Sequence, residues 1–190
     1  MSATTRYSLA ALLLVAACGQ PEIDSRQTVT VAIVNESGAD RFVLQDGGGC
    51  DPFRVTDESG AWVPVSMGFQ CVCECNPPQR RKFLRRVSAG EQLAIVWDAR
   101  SLVTWSTPKS CGGEWIENIV HGALQPIAEG KYAMTIFVDS ALPNSCVRLD
   151  QGLFNCSNSS SPGTCSTTDS TEVAFAVVGN ENTSATVTLK

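Results

Sequence analysis

Apolar and polar residues alternate with a period of two from Thr28 onward, as in strands that bury one face. In the first such segment Val29, Val31 and Ile33 fall on one side. The pattern predicts strands at 28–34, 41–45, 53–56, 61–65, 67–72, 82–88, 93–97, 131–138, 173–177 and 185–189, with weaker ones at 102–105 and 119–123. Since no window carries an apolar stripe at helical spacing over three turns, an all-β sandwich or open barrel is favoured.

Turn signals separate these segments. Residues 57–60 read Asp-Glu-Ser-Gly, a hairpin turn in which Gly60 can adopt a positive φ. Residues 179–182 separate the last two segments, which we expect to pair with each other. Residues 155–171 are rich in Ser, Thr and Asn, and they predict a long surface loop near the C-terminus, pinned by disulfides at Cys156 and Cys165.

The N-terminal residues predict export. A short head with one positive charge precedes an unbroken apolar run over 9–17, which is typical of a secretory signal. This run is about half of the ~20 residues that cross a bilayer as a helix. Residues 15–18, Val-Ala-Ala-Cys, resemble the bacterial lipobox, which implies cleavage before Cys18, lipidation of its sulfur and acylation, as with palmitate, of the new amino group. An ordinary signal with an incidental cysteine is the alternative.

These features divide the chain into three parts. We expect a signal peptide at 1–17, a lipidated Cys18 with a flexible tether at 18–27, and one β-sandwich domain at 28–190. By the sorting habit of lipoproteins, Gly19 in place of Asp suggests the outer membrane if the source is Gram-negative. Removing the signal, and Arg6 with it, changes the net charge from −5 to −6. A mildly acidic field gives no reason to expect nucleic acid as a partner.

Nine cysteines carry the strongest chemical signal. If one bears lipid, an even set remains, which in an exported chain predicts up to four disulfides among 105 connectivities. The pairing stays open among Cys50, Cys71, Cys73, Cys75, Cys111, Cys146, Cys156 and Cys165.

Residues 71–75, Cys-Val-Cys-Glu-Cys, have a second interpretation. Thiolates of Cys71, Cys73 and Cys75 with His121 are soft ligands suited to Cu(I) or Zn(II). Structural disulfides are favoured because the compartment is oxidising, so no cofactor is expected. His121 is the only histidine, and no nucleophile motif accompanies it. We therefore expect a surface or strand-edge histidine and no enzyme activity.

Two further features have competing interpretations. The basic segment, residues 80–86, either binds phosphates or an acidic partner, or protects an exposed sheet edge; the edge is favoured. Trp105 and Trp115 lie in a predicted loop around Cys111. Their rings either anchor a protein or glycan partner or, as favoured, are buried within that loop.

Four short segments between 28 and 138 resemble the intracellular proteinase inhibitor family first described in bacilli. They are Asn-Glu-Ser at 35–37, the turn 57–62 ending in Trp62, the segment 89–93 leading to Trp97, and 127–132 before a penultimate strand. The resemblance implies an immunoglobulin-like antiparallel β-sandwich and proteinase inhibition as an alternative function.

The expected function is a membrane-anchored lipoprotein with a non-catalytic binding or structural role at the cell envelope, with an envelope protein or glycan as candidate partner. An envelope copper- or zinc-binding protein is the second alternative.

Overall fold

The computed structural model describes residues 27–45, 50–65, 81–111, 114–157, 165 and 167–190. Within these ranges the backbone alone is described at 81, 106–111, 114–121 and 157. The described residues form thirteen strands and no helix, which confirms the all-β class. Among them no helix is long and apolar enough to span a bilayer.

The strand bounds follow the period-two pattern closely in most of the chain. The strands are β1 Val29–Asn35, β2 Arg41–Gln45, β3 Phe53–Asp57, β4 Trp62–Val63, β5 Arg81–Val87, β6 Gln92–Trp97, β7 Arg100–Cys111, β8 Glu114–Pro126, β9 Gly130–Asp139, β10 Cys146–Asp150, β11 Leu153–Ser157, β12 Asp169–Val177 and β13 Thr183–Leu189. The predicted strand at 67–72 lies outside the described residues. Just before β1, buried Gln27 donates from Nε2 to the Glu181 carbonyl (3.3 Å).

Two sheets form the body of the protein. The smaller has the order β13-β1-β6, with β1 parallel to β13 and antiparallel to β6. The larger has the order β10-β11-β5-β2-β9-β3-β4, and β12 adds to the other edge of β9. Both β2 and β3 pair with β9, β2 near its C-terminal end and β3 along its middle.

The last two strands do not pair with each other, so that expectation is wrong. Strand β12 pairs with β9 in the larger sheet, whereas β13 pairs with β1 in the smaller one. Buried and exposed side chains alternate along both strands. Val173 and Phe175 of β12 and Val187 of β13 are buried in one core. The chain therefore crosses from one sheet to the other at Gly179, because each strand buries its apolar face against the opposite sheet.

The main core lies between the two sheets. Trp97 of β6 meets Phe53 of β3 and Phe175 of β12 edge to face, with ring centroids 6.4 and 6.3 Å apart. Such aromatic contacts add about 0.5–1.5 kcal/mol each beyond the burial of their area. Val31 and Ile33 of β1 are fully buried on the same side. Two sheets packed face to face confirm the β-sandwich, whose described strand pairs are antiparallel except for β1 with β13.

Strands β7 and β8 form a separate two-stranded ribbon. The sequence predicts only short strands at 102–105 and 119–123, yet the observed strands have 12 and 13 residues. Their register shifts between Thr107 and Lys109. An isolated two-stranded hairpin is marginally stable in water, so the ribbon depends on additional contacts.

The hairpin turn at 57–60 forms as predicted. Gly60 has a φ of +81°, and an added Cβ there would meet no atom within 4 Å. Gly60→Ala should therefore lower the free energy of unfolding by about 1–2 kcal/mol. This is the cost of holding a residue with a Cβ at a positive φ, without any added steric clash. Gly130→Ala is the matched control, since Gly130 does not have a positive φ and its Cβ would lie 3.7 Å from the Tyr132 ring. Chemical denaturation of both variants tests this, and an equal cost would contradict it.

Candidate functional site

A second core lies on the other face of the larger sheet. Phe42 and Leu44 of β2 point away from the main core, because side chains two residues apart share a face. They pack with Leu84 of β5 and Phe154 of β11, and the Phe42 and Phe154 rings meet edge to face at 5.8 Å. The other buried members of this second core are Cys50 and Cys156. It is thus a small apolar cluster joined to two cystines.

Two disulfides hold the second core. Cys50 and Cys165 are bonded with Cα atoms 5.5 Å apart and a sequence separation of 115. Cys146 and Cys156 are bonded across the directly opposed ends of β10 and β11. The expected pinning of the Ser/Thr-rich region is confirmed at Cys165. The same region is not wholly a loop, since β11 extends to Ser157 and β12 begins at Asp169.

A buried ion pair crosses this face. The Lys82 ammonium of β5 donates to Asp139 Oδ2 at the end of β9, and the two side chains are 6% and 2% exposed. Asp139 Oδ1 also accepts from the Thr168 backbone N–H (2.7 Å), while Thr168 Oγ1 accepts from the Ser140 N–H (3.1 Å). The carboxylate therefore ties β5, β9 and the chain between Cys165 and β12 together.

The interpretation of the basic segment as a sheet edge is wrong. Strand β5 lies inside the larger sheet, between β11 and β2, and pairs with both along its length. Lys82 and Leu84 are buried on one face of β5, whereas Arg86, further along the same face, is exposed. Arg86 lies 3.8 Å from the Asp40 carboxylate in an exposed pair worth at most about 1 kcal/mol. One charge of this segment thus stabilises the fold from within.

A hollow of about 410 Å³ opens beside the Cys50–Cys165 disulfide. Its described lining consists of Phe137, Cys165, Thr167, Thr168, Asp169 and Ser170. These groups offer hydroxyl and carboxylate contacts to a small polar molecule. Asp169 is the one acidic or basic side chain in this described lining.

The ribbon exposes apolar side chains on both of its faces. Val103 and Trp105 of β7 are 42% and 48% exposed, and Leu124 of β8 is 42% exposed. The expected burial of Trp105 in a loop is therefore wrong: the residue lies within β7, opposite His121. Trp115 lies in β8, opposite Ser110 of β7. The side chains of Trp115 and His121 lie outside the described residues. Contiguous patches of exposed apolar residues are typical of binding surfaces.

Several predicted site residues lie outside the described residues. These are the lipidation site Cys18 and the cysteines Cys71, Cys73 and Cys75. Cys111 is the last residue of β7, with its backbone alone described. Among the described residues no three His, Cys, Asp or Glu side chains are placed to hold a metal ion. The proposed copper or zinc ligand set thus stays a prediction.

Two of the segments that carry the family resemblance meet in the fold. The Asn35 N–H donates to the Glu91 carbonyl (3.0 Å), and the Gly90 N–H donates to the Asn35 carbonyl (2.7 Å). The buried Asn35 side chain donates to the Val87 and Ala39 carbonyls and accepts from Ser37. This network closes one end of the sandwich, and it explains why an amide is buried there.

The other two segments meet near the start of β9, where Asp57 lies opposite Tyr132. Tyr132 stacks on Phe175 with centroids 6.0 Å apart and donates to the Ala128 carbonyl (2.8 Å). Burial, and secondarily the Asp57 charge, raises the pKa of Tyr132. The Asp57 carboxylate accepts from Ser59 Oγ (2.7 Å) and the Ala61 N–H (2.9 Å). These bonds to the charged form lower the pKa of Asp57.

The lowered pKa of Asp57 predicts an acid-dependent turn. The pKa of this carboxyl is lower in the folded chain than its ordinary value of 3.8. Between the folded and the ordinary pKa, the unfolded chain therefore binds more protons than the folded chain. The stabilisation is present above pH 4 or so and is lost as the pH falls through the folded pKa. Asp57→Asn should abolish this part of the acid dependence, while Glu58→Gln, a neighbouring charge change, should retain it. Equal acid profiles for Asp57→Asn and the parent chain in denaturation midpoints would contradict the assignment.

No protein-family model matches the chain, no curated protein matches it, and no solved structure matches it. The resemblance to the proteinase inhibitors and the immunoglobulin-like assignment therefore stay predictions.

Proposed function

We propose that the protein is an exported lipoprotein, anchored through Cys18, whose β-sandwich has a non-catalytic binding or structural role at the cell envelope. The observation that carries the proposal is the pair of buried cystines in the second core. Disulfides form and persist in oxidising compartments and are rare where thiols are kept reduced. The signal-like apolar run at 9–17 and the lipobox-like residues 15–18 support the same location.

The ribbon supports binding as the role of the anchored domain. It is a two-stranded element that exposes Val103, Trp105 and Leu124 to solvent. Burial of such side chains by a partner contributes about 25 cal/mol per Å² of apolar area. Exposed aromatic residues are frequent anchors of protein partners. An envelope protein is therefore the partner class that this surface fits best.

Membrane fractionation of the full chain tests the anchor. The parent protein should sediment with membranes and enter the detergent phase, since two or three acyl chains anchor a protein firmly. Cys18→Ser removes the sulfur that would bear lipid and should leave the detergent phase. Ser25→Ala, a change within the predicted tether, is the matched control and should fractionate as the parent chain does. Parent protein that stays in the aqueous phase, or Cys18→Ser that still partitions as lipoprotein, would overturn the proposal.

A further inference from the structure

Strand β13 lies at one margin of the smaller sheet and, within the described residues, has a neighbour on one side only. It pairs with β1 over seven residues without a shift of register. The Thr183 N–H donates to the Thr28 carbonyl, and the Leu189 carbonyl accepts from the Glu36 N–H (2.9 Å each). In a parallel ladder the N–H and C=O of one residue bond to the same neighbouring strand. The odd-numbered residues of β13 therefore bond to β1.

The even-numbered residues of β13 direct their backbone groups away from β1, because successive residues of a strand bond to alternate sides. These residues are Ser184, Thr186 and Thr188, and together they offer three donors and three acceptors along the outer edge. The side chains of Ser184 and Thr186 are exposed, whereas Val187 and Leu189 are buried on the opposite face of the sheet. An edge of this kind is a template for a further strand.

This edge lacks the features that protect the edges of the larger sheet. Strand β13 contains no charged residue, no proline and no bulge. By contrast, β10 shifts its register next to Arg148, β12 carries Asp169 and Glu172, and β4 has two residues. Bulges, charges and short length are the usual means of preventing edge pairing. The edge of β13 is therefore the better candidate for association.

A second copy of β13 fits this edge in an antiparallel register. A two-fold axis at Thr186 places Thr186 opposite its own counterpart and Ser184 opposite Thr188 of the second copy. All three outward-directed residues then form hydrogen-bonded pairs, each of which exchanges two N–H···O bonds. A shift of two residues in either direction would leave one of these residues opposite a position outside β13.

The charges at the ends of this register are complementary. Asn182 lies opposite Lys190 of the second copy, and Glu181 is the next residue beyond Asn182. A carboxylate and an ammonium group, both exposed, therefore become neighbours at each end of the pair. Opposite charges on neighbouring strands are stabilising, whereas like charges are destabilising.

Strand β6, at the other margin of the same sheet, lacks this complementarity. It is also uncharged, but Glu91 precedes it and Asp98 follows it. An equivalent self-pairing about Ala94 would bring these carboxylates together at both ends. Like charges therefore disfavour β6 as the self-associating edge.

The buried face of the sheet also continues across the pair. Ala185 of one copy lies opposite Val187 of the other in this register, and both residues belong to or pack against the main core. Thr183 similarly lies opposite Leu189 of the second copy. Cross-strand contacts between apolar side chains are the main source of stability between paired strands.

We propose that two copies of the chain associate through β13 about a two-fold axis at Thr186, which joins their three-stranded smaller sheets into one continuous sheet. The contact is closed, because both copies use the same edge. The inference goes beyond the proposed function and does not depend on the lipid anchor. A single pair of short strands is smaller than a standard interface of about 1,600 Å², so the association should depend on concentration.

Light scattering coupled to size-exclusion chromatography tests the association, with the full-length protein in detergent over a concentration series. The parent chain should approach the mass of two copies as its concentration rises. Thr186→Lys places two like charges at the axis and should leave a single copy. Ala94→Lys, at an exposed position of β6 in the same sheet, is the matched control and should associate as the parent does. A parent chain that stays monomeric, or a Thr186→Lys chain that still associates, would overturn the proposal.

Cysteine cross-linking tests the register independently. Thr186→Cys should form a disulfide-linked dimer on mild oxidation with diamide, because opposed residues of a hydrogen-bonded pair have Cα atoms about 5.5 Å apart. Ser184→Cys is the matched control, since its two copies lie four residues apart along the strands, about 14 Å. It should remain unlinked on a non-reducing gel, as should the parent chain.

A Thr186→Cys chain that stays unlinked, or a Ser184→Cys chain that links equally well, would contradict this register. Cross-linking of Thr186→Cys in a chain that carries no lipid would overturn the proposed anchor and leave the association supported.

Discussion

Asp139→Ala should lower the free energy of unfolding by about 3–5 kcal/mol, since it removes one partner of a buried ion pair. The carboxylate faces the Lys82 ammonium at a site where both side chains are almost fully excluded from solvent. The variant also removes the acceptor of the Thr168 N–H. Urea or guanidinium denaturation with the disulfides intact measures the loss.

The matched control is the half-exposed pair between Asp98 and Arg100. Asp98→Ala should cost at most about 1 kcal/mol, because solvent screens that pair. The double variant Lys82→Met with Asp139→Leu should recover much of the loss, because apolar residues of similar volume replace a buried pair at little cost. If Asp139→Ala is no more destabilising than Asp98→Ala, the burial of the pair does not determine its energy.

The Cys50–Cys165 disulfide should stabilise the fold more than Cys146–Cys156 does. The first closes a loop of 115 residues and the second a loop of 10. Loop-closure entropy gives about 5 kcal/mol for the longer loop and about 3 kcal/mol for the shorter. The Cys146–Cys156 bond lies inside the longer loop and shortens it by about ten residues, which leaves it far longer than the second loop.

Two double variants compare these loops directly. Cys50→Ala with Cys165→Ala and Cys146→Ala with Cys156→Ala each remove one cystine and leave no odd thiol. Each pair includes a buried sulfur of the second core, so the two losses of packing are similar. Denaturation free energies should fall further for the first variant. A larger loss for the second would show that packing at β10 and β11, rather than loop closure, dominates.

The positions of strands and turns could be predicted from the sequence where one face of the strand is buried. Strands β1, β2, β6 and β9 appear within two residues of the period-two segments, and Gly60 has the predicted positive φ. Strand order was not readable in the same way. Alternation specifies which side chains are buried, but it does not specify which strand lies alongside, so β12 and β13 were expected to form a pair that does not exist.

The second core had a weaker signal that was missed. In β2, Phe42, Val43 and Leu44 are consecutive apolar residues, a pattern typical of a strand covered on both faces, and all three are buried. The hairpin of β10 and β11 was also missed, although Gly152 marks its turn with a φ of +87°. The burial of Lys82 could not be predicted, since its partner Asp139 is 57 residues away.

The remaining predictions share one premise, that this folded body is located outside the cytosol. Oxidised sulfurs, a lipid on Cys18 and a role at the envelope all require it. The second core places two of the cystines in the fold. The state of the remaining four cysteines and the processing of the N-terminus test the rest.

Intact mass spectrometry of the membrane-extracted full-length product, before and after reduction, tests this premise most directly. We expect a chain that begins at Cys18, carries the added mass of acyl chains, and gains about 8 Da on reduction, two hydrogens for each of four disulfides. A chain that begins at Met1, carries no lipid and keeps the same mass after reduction would contradict it.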